Sequence, residues 1–386
     1  MHGDPVEAAG GAGGAPAVAL AALIDAVDPP DAAIRGNVEG HLNALTKPPG
    51  SLGRLEHVAL RLALIYGDPP PRLERRVIYV LAGDHGVTQN GVSAYPAAVT
   101  AQMCRNFAAG GAAVCAIAGS VGAEIRPADL GVDADLDDVD GLVHAKVRRG
   151  TRDFTRGPAL TDEEAVRAVL AGAALVQGEV RAPDVVALGE MGIGNTASAS
   201  ALTAVLTGAP AGRVVGPGTG VDRSGLIRKL RAVELGVGSF MSTRRGHERD
   251  PGLAALEALA WLGGLEIAGL VGVALAAAAA RKAAIIDGFI SAAAALVAVR
   301  LCPAAHGYLF AGHRSTEPGH DFLLEALGLD PILELGMRLG EGTGAALALP
   351  VLDAAGAILR EMATFASAGV SGRDGEAAQS RTTTAE

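Results

Sequence analysis

Short apolar runs alternate with longer stretches of helical spacing through the middle of the chain. Each run has the length of a buried strand and is followed at once by glycines and polar side chains. Strands that alternate with helices predict βαβ units and a parallel sheet, and therefore an α/β fold. The predicted strands are 76–82, 123–130, 184–188, 282–286 and 307–311, and the clearest helices between them are 162–179 and 252–260.

The two ends of the chain have a different texture. Residues 1–16 are rich in glycine and alanine, and residues 371–386 are polar, so we expect both to be disordered tails. Residues 17–70 have helical spacing that is broken by proline pairs, and residues 346–370 predict a further helix. We expect these segments to flank a large α/β body at 71–345.

Composition narrows the kind of core and the kind of ligand. Apolar residues make up 49% of the chain and aromatic residues only 3%, so alanine, valine, leucine and glycine must build the core. The net charge of -10 disfavours nucleic acid as a partner, because a field of that sign repels a phosphate backbone. A small phosphorylated ligand stays possible, since backbone N–H groups can bind phosphate in an acidic protein.

Cysteine spacing and hydropathy predict a cytoplasmic protein without a membrane span. The three cysteines show no C-x-x-C spacing and are interpreted as reduced thiols. No signal peptide is recognisable at the first residues. The longest apolar stretch, 267–280, is too short to cross a bilayer and predicts a buried helix.

A glycine loop follows the predicted strand at 184–188. Gly192, Gly194 and Ala197 match the G-x-G-x-x-A pattern of dinucleotide-binding loops, which leaves an NAD-dependent oxidoreductase as an alternative. That pattern expects an acidic residue about 20 positions later, and here the chain has Val214-Val215 instead. A phosphate or ribose site and a plain tight turn are the other readings. The candidate binding residues are Met191, Gly192, Gly194, Asn195 and Thr196.

A second glycine-rich loop spans residues 216–220. Its backbone N–H groups could face an anion together with the Thr219 hydroxyl, and Lys229 lies one helical stretch later. No Walker A sequence is present, and an ordinary surface loop is the alternative. The candidate binding residues are Gly218, Thr219, Gly220 and Lys229.

Two further loops carry candidate chemistry. In residues 312–320, the Ser315 hydroxyl is a candidate hydrogen-bond donor to a phosphate. His313 and His320 could suggest a metal site, but their spacing is irregular. We therefore expect no metal ion and no cofactor. In Gly340-Glu341-Gly342 a single carboxylate stands among glycines. Glu341 is either a solvated loop acid or a base in a pocket, where desolvation would raise its pKa towards neutrality.

Taken together in their order, these segments closely resemble the nicotinate-nucleotide–dimethylbenzimidazole phosphoribosyltransferase family. Each motif alone is ambiguous, but their number and order over about residues 32–365 make the resemblance specific. The matching stretches are 45–56, 82–87, 91–96, 99–103, 154–158, 189–196, 216–220, 287–290, 312–315 and 340–344.

The resemblance implies a reaction and a fold. Nicotinate mononucleotide would give its phosphoribosyl group to 5,6-dimethylbenzimidazole, yielding α-ribazole 5′-phosphate and nicotinate for the lower ligand of cobalamin. It also implies a homodimer, a doubly wound, mostly parallel, Rossmann-like sheet, and a small helical domain built from both chain ends.

The resemblance also implies roles for individual residues. Glu341 would be the general base, and Glu190 a second acidic residue near the ribose. Gly192, Gly218, Lys229 and Ser315 would contact the phosphate. Ser93, Gln102, Met191 and Leu339 would form the wall around the benzimidazole. A non-catalytic nucleotide-binding protein is a further alternative, which turnover would exclude.

Overall fold

Six parallel strands form one sheet in the computed structural model, which describes residues 14–243 and 250–371. The strand order is β3-β2-β1-β4-β5-β6, so the chain first builds outward from β1 on one side and then on the other. This order is that of a doubly wound sheet, and the predicted α/β fold is confirmed. The strands are β1 (Arg76–Gly83), β2 (Ala123–Gly131), β3 (Val143–His144), β4 (Val185–Met191), β5 (Ala283–Ile286) and β6 (Leu309–Ala311).

Helices connect the strands and account for most of the remaining described residues. The predicted helices at 162–179 and 252–260 lie within two residues of the observed ones at each end. Ala15 and Pro16, which we expected in a disordered tail, belong to the first helix, and Gly14 is its N-cap. Residues 1–13 of that tail, and residues 372–386 of the second tail, lie outside the described residues. The helices are α1 (Ala15–Asp25), α2 (Arg35–Ala44), α3 (Arg54–Tyr66), α4 (Ala98–Ala108), α5 (Ala113–Ser120), α6 (Asp162–Gln177), α7 (Asn195–Thr207), α8 (Ala211–Val214), α9 (Arg223–Thr243), α10 (Pro251–Leu262), α11 (Leu265–Ala279), α12 (Phe289–Leu301), α13 (Gly319–Leu327), α14 (Thr343–Glu361) and α15 (Phe365–Ala368).

The sequence did not predict the edge strand β3, whose two residues are both exposed. Its shortness explains why β2 can contain Pro127, a residue that cannot donate to a ladder. β3 pairs only with Ala128 and Asp129, so no ladder on that side of β2 is broken at Pro127.

Close helix contacts replace aromatic side chains in the core. All but the last residue of α11 are buried, as its apolar sequence predicted. Helices α6 and α11 cross so closely that a Cβ on Gly172 would lie 1.9 Å from the carbonyl oxygen of Gly269. A Cβ on Gly272 would lie 1.8 Å from the carbonyl oxygen of Val169. Glycine at the crossing therefore explains how a core so poor in aromatic residues packs densely.

The chain divides into two compact units. The larger comprises Met1–Asp28 and Arg75–Ala348, and the smaller comprises Pro29–Glu74 and Leu349–Glu386, as far as these ranges are described. Helix α1 therefore belongs to the larger unit, whereas we expected it among the small-domain helices. The segment just after this helix is held there because the hydroxyl of Tyr308 donates to the carbonyl oxygen of Asp28 at 2.7 Å.

The smaller unit joins segments from both ends of the chain. Leu45 and Thr364 form an antiparallel bridge, and Arg360 donates to the carbonyl oxygens of Pro70 and Pro71. Both ends thus contribute to one helical unit, as the family resemblance implies.

Helix α14 is the one described helix with the length and composition to cross a membrane. Its most apolar window is 56% buried, and a core helix of a globular protein meets the same criteria.

Candidate active site

Loops at the carboxyl ends of the strands enclose a cavity of about 590 Å³. Its walls come from the segments after β1, β4, β5 and β6. The strand order reverses between β1 and β4, and ligands of open α/β sheets bind at such a switch point. The lining residues are Tyr95, Val99, Met103, Glu190, Met191, Gly192, Ile193, Asn195, Thr196, Gly218, Thr219, Gly288, Phe289, Ile290, His313, Ser315, Glu317, Arg338, Leu339, Gly340 and Glu341.

Glu341 enters this cavity from a strained loop. Its φ of 64° lies in the left-handed region, and Gly340 and Gly342 on either side have φ values of 85° and 90°. A non-glycine residue in this region is unfavourable and is kept only where its surroundings fix it. The backbone thus holds one carboxyl group at a set position between two glycines.

Burial and a nearby helix terminus have opposite effects on the pKa of Glu341, a residue that is only 6% exposed. Burial raises the pKa of the carboxyl group above its usual value, and the negative charge of Asp287 adds to the rise. The backbone N–H of Val114, in the first turn of α5, donates to Oε2 at 3.3 Å and opposes it. The net effect is an upward shift of the pKa, which suits a general base.

Asp287, immediately after β5, fixes the loop that carries Glu341. Its Oδ1 accepts from the N–H groups of Gly344 and Ala345 at 2.6 and 3.0 Å, and its Oδ2 accepts from Gly342 at 3.2 Å. His313 Nε2 lies 3.6 Å from Oδ1 on the other side. The sequence marked Asp287 only as a strand end and part of a motif, and its bonds to the α14 terminus emerge only from the structure.

Glu190 is the second buried carboxyl group of the cavity. Burial, followed by the charges of Asp287 and Glu266, raises its pKa to about 8, while the hydrogen bond from Asn195 Nδ2 opposes the shift. Glu190 is therefore mostly protonated at neutral pH. A Cβ on Gly340 would lie 2.3 Å from Glu190 Oε1, so the loop beside Glu341 packs directly against this group.

The Gly192 loop rests on a buried polar pair. His85 Nε2 lies 2.6 Å from Glu266 Oε1, and both side chains are inaccessible to solvent. A Cβ on Gly192 would lie 2.5 Å from the carbonyl oxygen of Gly83 and 3.1 Å from Glu266 Oε1, so no other residue fits there. This loop follows β4, whereas the dinucleotide fingerprint follows the first strand of a Rossmann fold.

The loop at 216–220 is bonded to Lys229. Lys229 is fully buried, and its Nζ donates to Thr196 Oγ1 and to the carbonyl oxygen of Gly216, each at 2.9 Å. Burial lowers its pKa to about 8. The N–H of Gly218 already has a partner, because it donates to Glu317 Oε1 at 2.9 Å.

The structure brings most of the candidate residues to one place. Gly194 and Gly220 shape the loops beside the cavity, and Lys229 reaches it through Thr196. The wall also contains Tyr95, Val99, Met103, Glu317 and Arg338, for which the sequence indicated no individual role. The candidates that line the cavity are Glu190, Met191, Gly192, Asn195, Thr196, Gly218, Thr219, Ser315, Leu339 and Glu341.

Ser93 and Gln102 are not among the lining residues. Gln102 is exposed on α4, while its neighbours Val99 and Met103 line the cavity. Ser93 Oγ lies 3.5 Å from Thr219 Oγ1 and so stands beside the wall. A helix exposes only one face to a cavity, and the sequence motif does not say which.

His313 and His320 do not form a metal-ligand group. Within residues 14–243 and 250–371, no cluster of three or more His, Cys, Asp or Glu side chains is arranged to hold a metal ion. His320 Nδ1 accepts from the N–H of Ser315 at 2.9 Å, and burial lowers its pKa to about 3. This neutral imidazole therefore orients Ser315 at the cavity wall.

Comparisons with known proteins show which family this chain resembles. A family model described as phosphoribosyltransferase matches residues 27–370. The nicotinate-nucleotide–dimethylbenzimidazole phosphoribosyltransferase of Desulforamulus reducens is 47% identical over 354 residues, 91% of this chain and 99% of its own length. The enzyme of the same name from Chloroflexus aurantiacus is 50% identical over 328 residues, 85% of this chain and 91% of its own length.

A solved structure gives the same result. The crystal structure of nicotinate-nucleotide–dimethylbenzimidazole phosphoribosyltransferase from Thermus thermophilus superposes with a TM-score of 0.82 at 45% identity. The match covers 89% of this chain and 99% of that one. The chain therefore belongs to the nicotinate-nucleotide–dimethylbenzimidazole phosphoribosyltransferase family, as its motifs predicted.

Proposed function

We propose that this protein transfers the phosphoribosyl group of nicotinate mononucleotide to 5,6-dimethylbenzimidazole. The observation that carries the proposal is Glu341, a buried carboxyl group with a raised pKa in the wall of a largely apolar cavity. The same cavity contains the glycine loops expected for a phosphate. Relatives at 47% and 50% identity bear the name of this activity.

The reaction needs one base. A benzimidazole nitrogen attacks C1′ of the ribose from the face opposite to nicotinate. The C1′–nitrogen bond to nicotinate breaks, and its electron pair neutralises the pyridinium nitrogen. The N–H proton of the benzimidazole passes to Glu341, which returns it to solvent after the products leave. Holding two flat rings on either side of the ribose supplies much of the remaining acceleration.

Glu190 would bind the ribose rather than take the proton of the benzimidazole. A carboxyl group with a pKa of about 8 carries a proton at neutral pH and can donate a hydrogen bond to a sugar oxygen. Asn195 holds the other oxygen of this group. Met191, Leu339, Val99 and Met103 would form the apolar wall for the benzimidazole.

Gly192, Gly218, Lys229 and Ser315 would hold the phosphate. Lys229 has used two of its three hydrogens on Thr196 and Gly216, which leaves one to direct at an anion. The proposal includes a homodimer, as the resemblance implies, and a cytoplasmic location, as the cysteine spacing and hydropathy predict. Light scattering of the purified protein would test the dimer.

The pH dependence of turnover should change when the charge of Asp287 is removed. In Asp287→Asn the side chain keeps an oxygen for Gly344 and Ala345 but loses the charge that raises the pKa of Glu341. A lower pKa keeps the base ionised to lower pH, so the acidic limb of the kcat profile should move to lower pH. A lower kcat with an unmoved limb would mean that Asp287 only braces the loop.

Turnover with defined substrates tests the proposed function. The protein is incubated with nicotinate mononucleotide, with and without 5,6-dimethylbenzimidazole, and nicotinate release is followed by chromatography. We expect nicotinate release that depends on the presence of 5,6-dimethylbenzimidazole. Without such release the proposal fails. The oxidoreductase alternative finds no support among the relatives, and unchanged NADH fluorescence on mixing is the expected result.

A further inference from the structure

Glu317 reaches into the loop that the proposed phosphate site depends on. It comes two residues after Ser315 and is one of the residues that line the cavity, with only 4% of its surface exposed. Its Oε1 accepts from the N–H of Gly218, and a Cβ on Gly216 would lie 2.3 Å from its Oε2. No step of the proposed phosphoribosyl transfer involves this residue.

Two acceptors would compete for the hydrogen of the Gly218 N–H. A backbone amide has one hydrogen, and the proposed function directs that hydrogen at the phosphate of the nucleotide. Glu317 already accepts it at 2.9 Å, a normal length for such a bond. Two anions that share one donor also repel each other, so both cannot hold it at full strength.

Lys229 stands on the other side of the same glycine. A Cβ on Gly218 would lie 3.0 Å from Lys229 Nζ, and the charge of Glu317 opposes the fall that burial causes in the pKa of Lys229. Glu317 therefore acts as a counter-ion for this buried ammonium. Its Oε2 has no hydrogen-bond partner among the described residues, so only one oxygen is anchored by a hydrogen bond.

We propose that Glu317 competes with the substrate phosphate for the Gly218 N–H. The Glu317 carboxylate accepts from this N–H until a phosphate displaces it, and this competition sets the affinity for phosphate-bearing ligands. The proposal rests on the proposed function for the identity of the nucleotide. The competition itself applies to inorganic phosphate as well, because that anion needs the same donor and the same ammonium.

Phosphate affinity in Glu317→Gln tests the competition. The amide oxygen can still accept from Gly218, but a neutral acceptor binds an N–H more weakly than a carboxylate does and does not repel phosphate. Inorganic phosphate should therefore bind about five- to tenfold more tightly, and KM for nicotinate mononucleotide should fall similarly.

The opposite view is that Glu317 only braces the loop. A brace is preserved in Glu317→Gln, so unchanged phosphate affinity, or weaker affinity, would overturn the proposal. Glu317→Ala gives a second test that does not depend on the first variant's folding. Competition predicts tighter phosphate binding in this variant too, whereas loss of a brace predicts weaker binding.

The measurement is calorimetric titration of the full chain with inorganic phosphate at about pH 6, where Lys229, with its pKa near 8, is charged. Glu325→Gln is the matched control, since Glu325 is an exposed acid of α13. The titration needs neither organic substrate. An inactive wild-type protein would reject the proposed function, whereas an active one with unchanged phosphate affinity in Glu317→Gln rejects only the competition.

Discussion

Replacing Glu341 by glutamine should reduce kcat by about 10²- to 10⁴-fold, the range of a lost general base. Glutamine has the same shape and keeps an oxygen for the N–H of Val114. It cannot take the proton of the attacking benzimidazole at any accessible pH. Steady-state assays with both substrates should show the loss in kcat and little change in either KM.

Stability separates this effect from damage to the fold. The strained backbone at residue 341 is the same in both proteins, and the variant no longer buries an ionisable group there. We expect its thermal unfolding temperature to equal or exceed that of the wild type. Full activity in a folded Glu341→Gln protein would remove Glu341 from the mechanism.

A methyl group on Gly189 should damage both stability and activity. A Cβ there would lie 2.4 Å from the carbonyl oxygen of Glu341. This part of the backbone cannot shift freely, because Asp287 accepts from the N–H of Gly342 and from two N–H groups in the first turn of α14. In Gly189→Ala the loop must move. We expect a loss of about 2–3 kcal/mol of unfolding free energy, as for an overpacked core. Displacement of the base should lower kcat on the order of 10²-fold.

Gly238→Ala is the control for this change. Gly238 is exposed within α9, and no atom lies within 4 Å of the Cβ that the substitution would add. Alanine there should be neutral or stabilise the helix by up to about 1 kcal/mol. Chemical denaturation and turnover of both variants give the comparison. Equal stability and equal activity in Gly189→Ala would show that Glu341 is not held as described.

The strands of this fold could be predicted because they are buried on both faces. The sequences around β1, β4 and β5 are continuous apolar runs, and glycines with polar residues follow each of them. Strand β3 could not be predicted, because two exposed residues leave no pattern. The place of α1 in the larger unit depends on contacts such as that of Tyr308 with Asp28, which are remote in sequence.

The site divides in the same way between local and distant information. Glu341 stood out because a carboxylate among glycines is rare in a packed helix start. Asp287 and Glu317 did not, since their importance lies in the backbone N–H groups they accept from, which belong to other segments. For Gln102 we expected a place in the wall, but the neighbouring Val99 and Met103 of the same helix occupy it instead.

The anomeric configuration of the product tests the central claim most directly. Wild-type protein is incubated with nicotinate mononucleotide and 5,6-dimethylbenzimidazole, and the new nucleotide is examined by NMR. Attack on C1′ from the face opposite to nicotinate predicts α-ribazole 5′-phosphate and one nicotinate for each nucleotide formed. A β-configured product, or no new nucleotide at all, would contradict it.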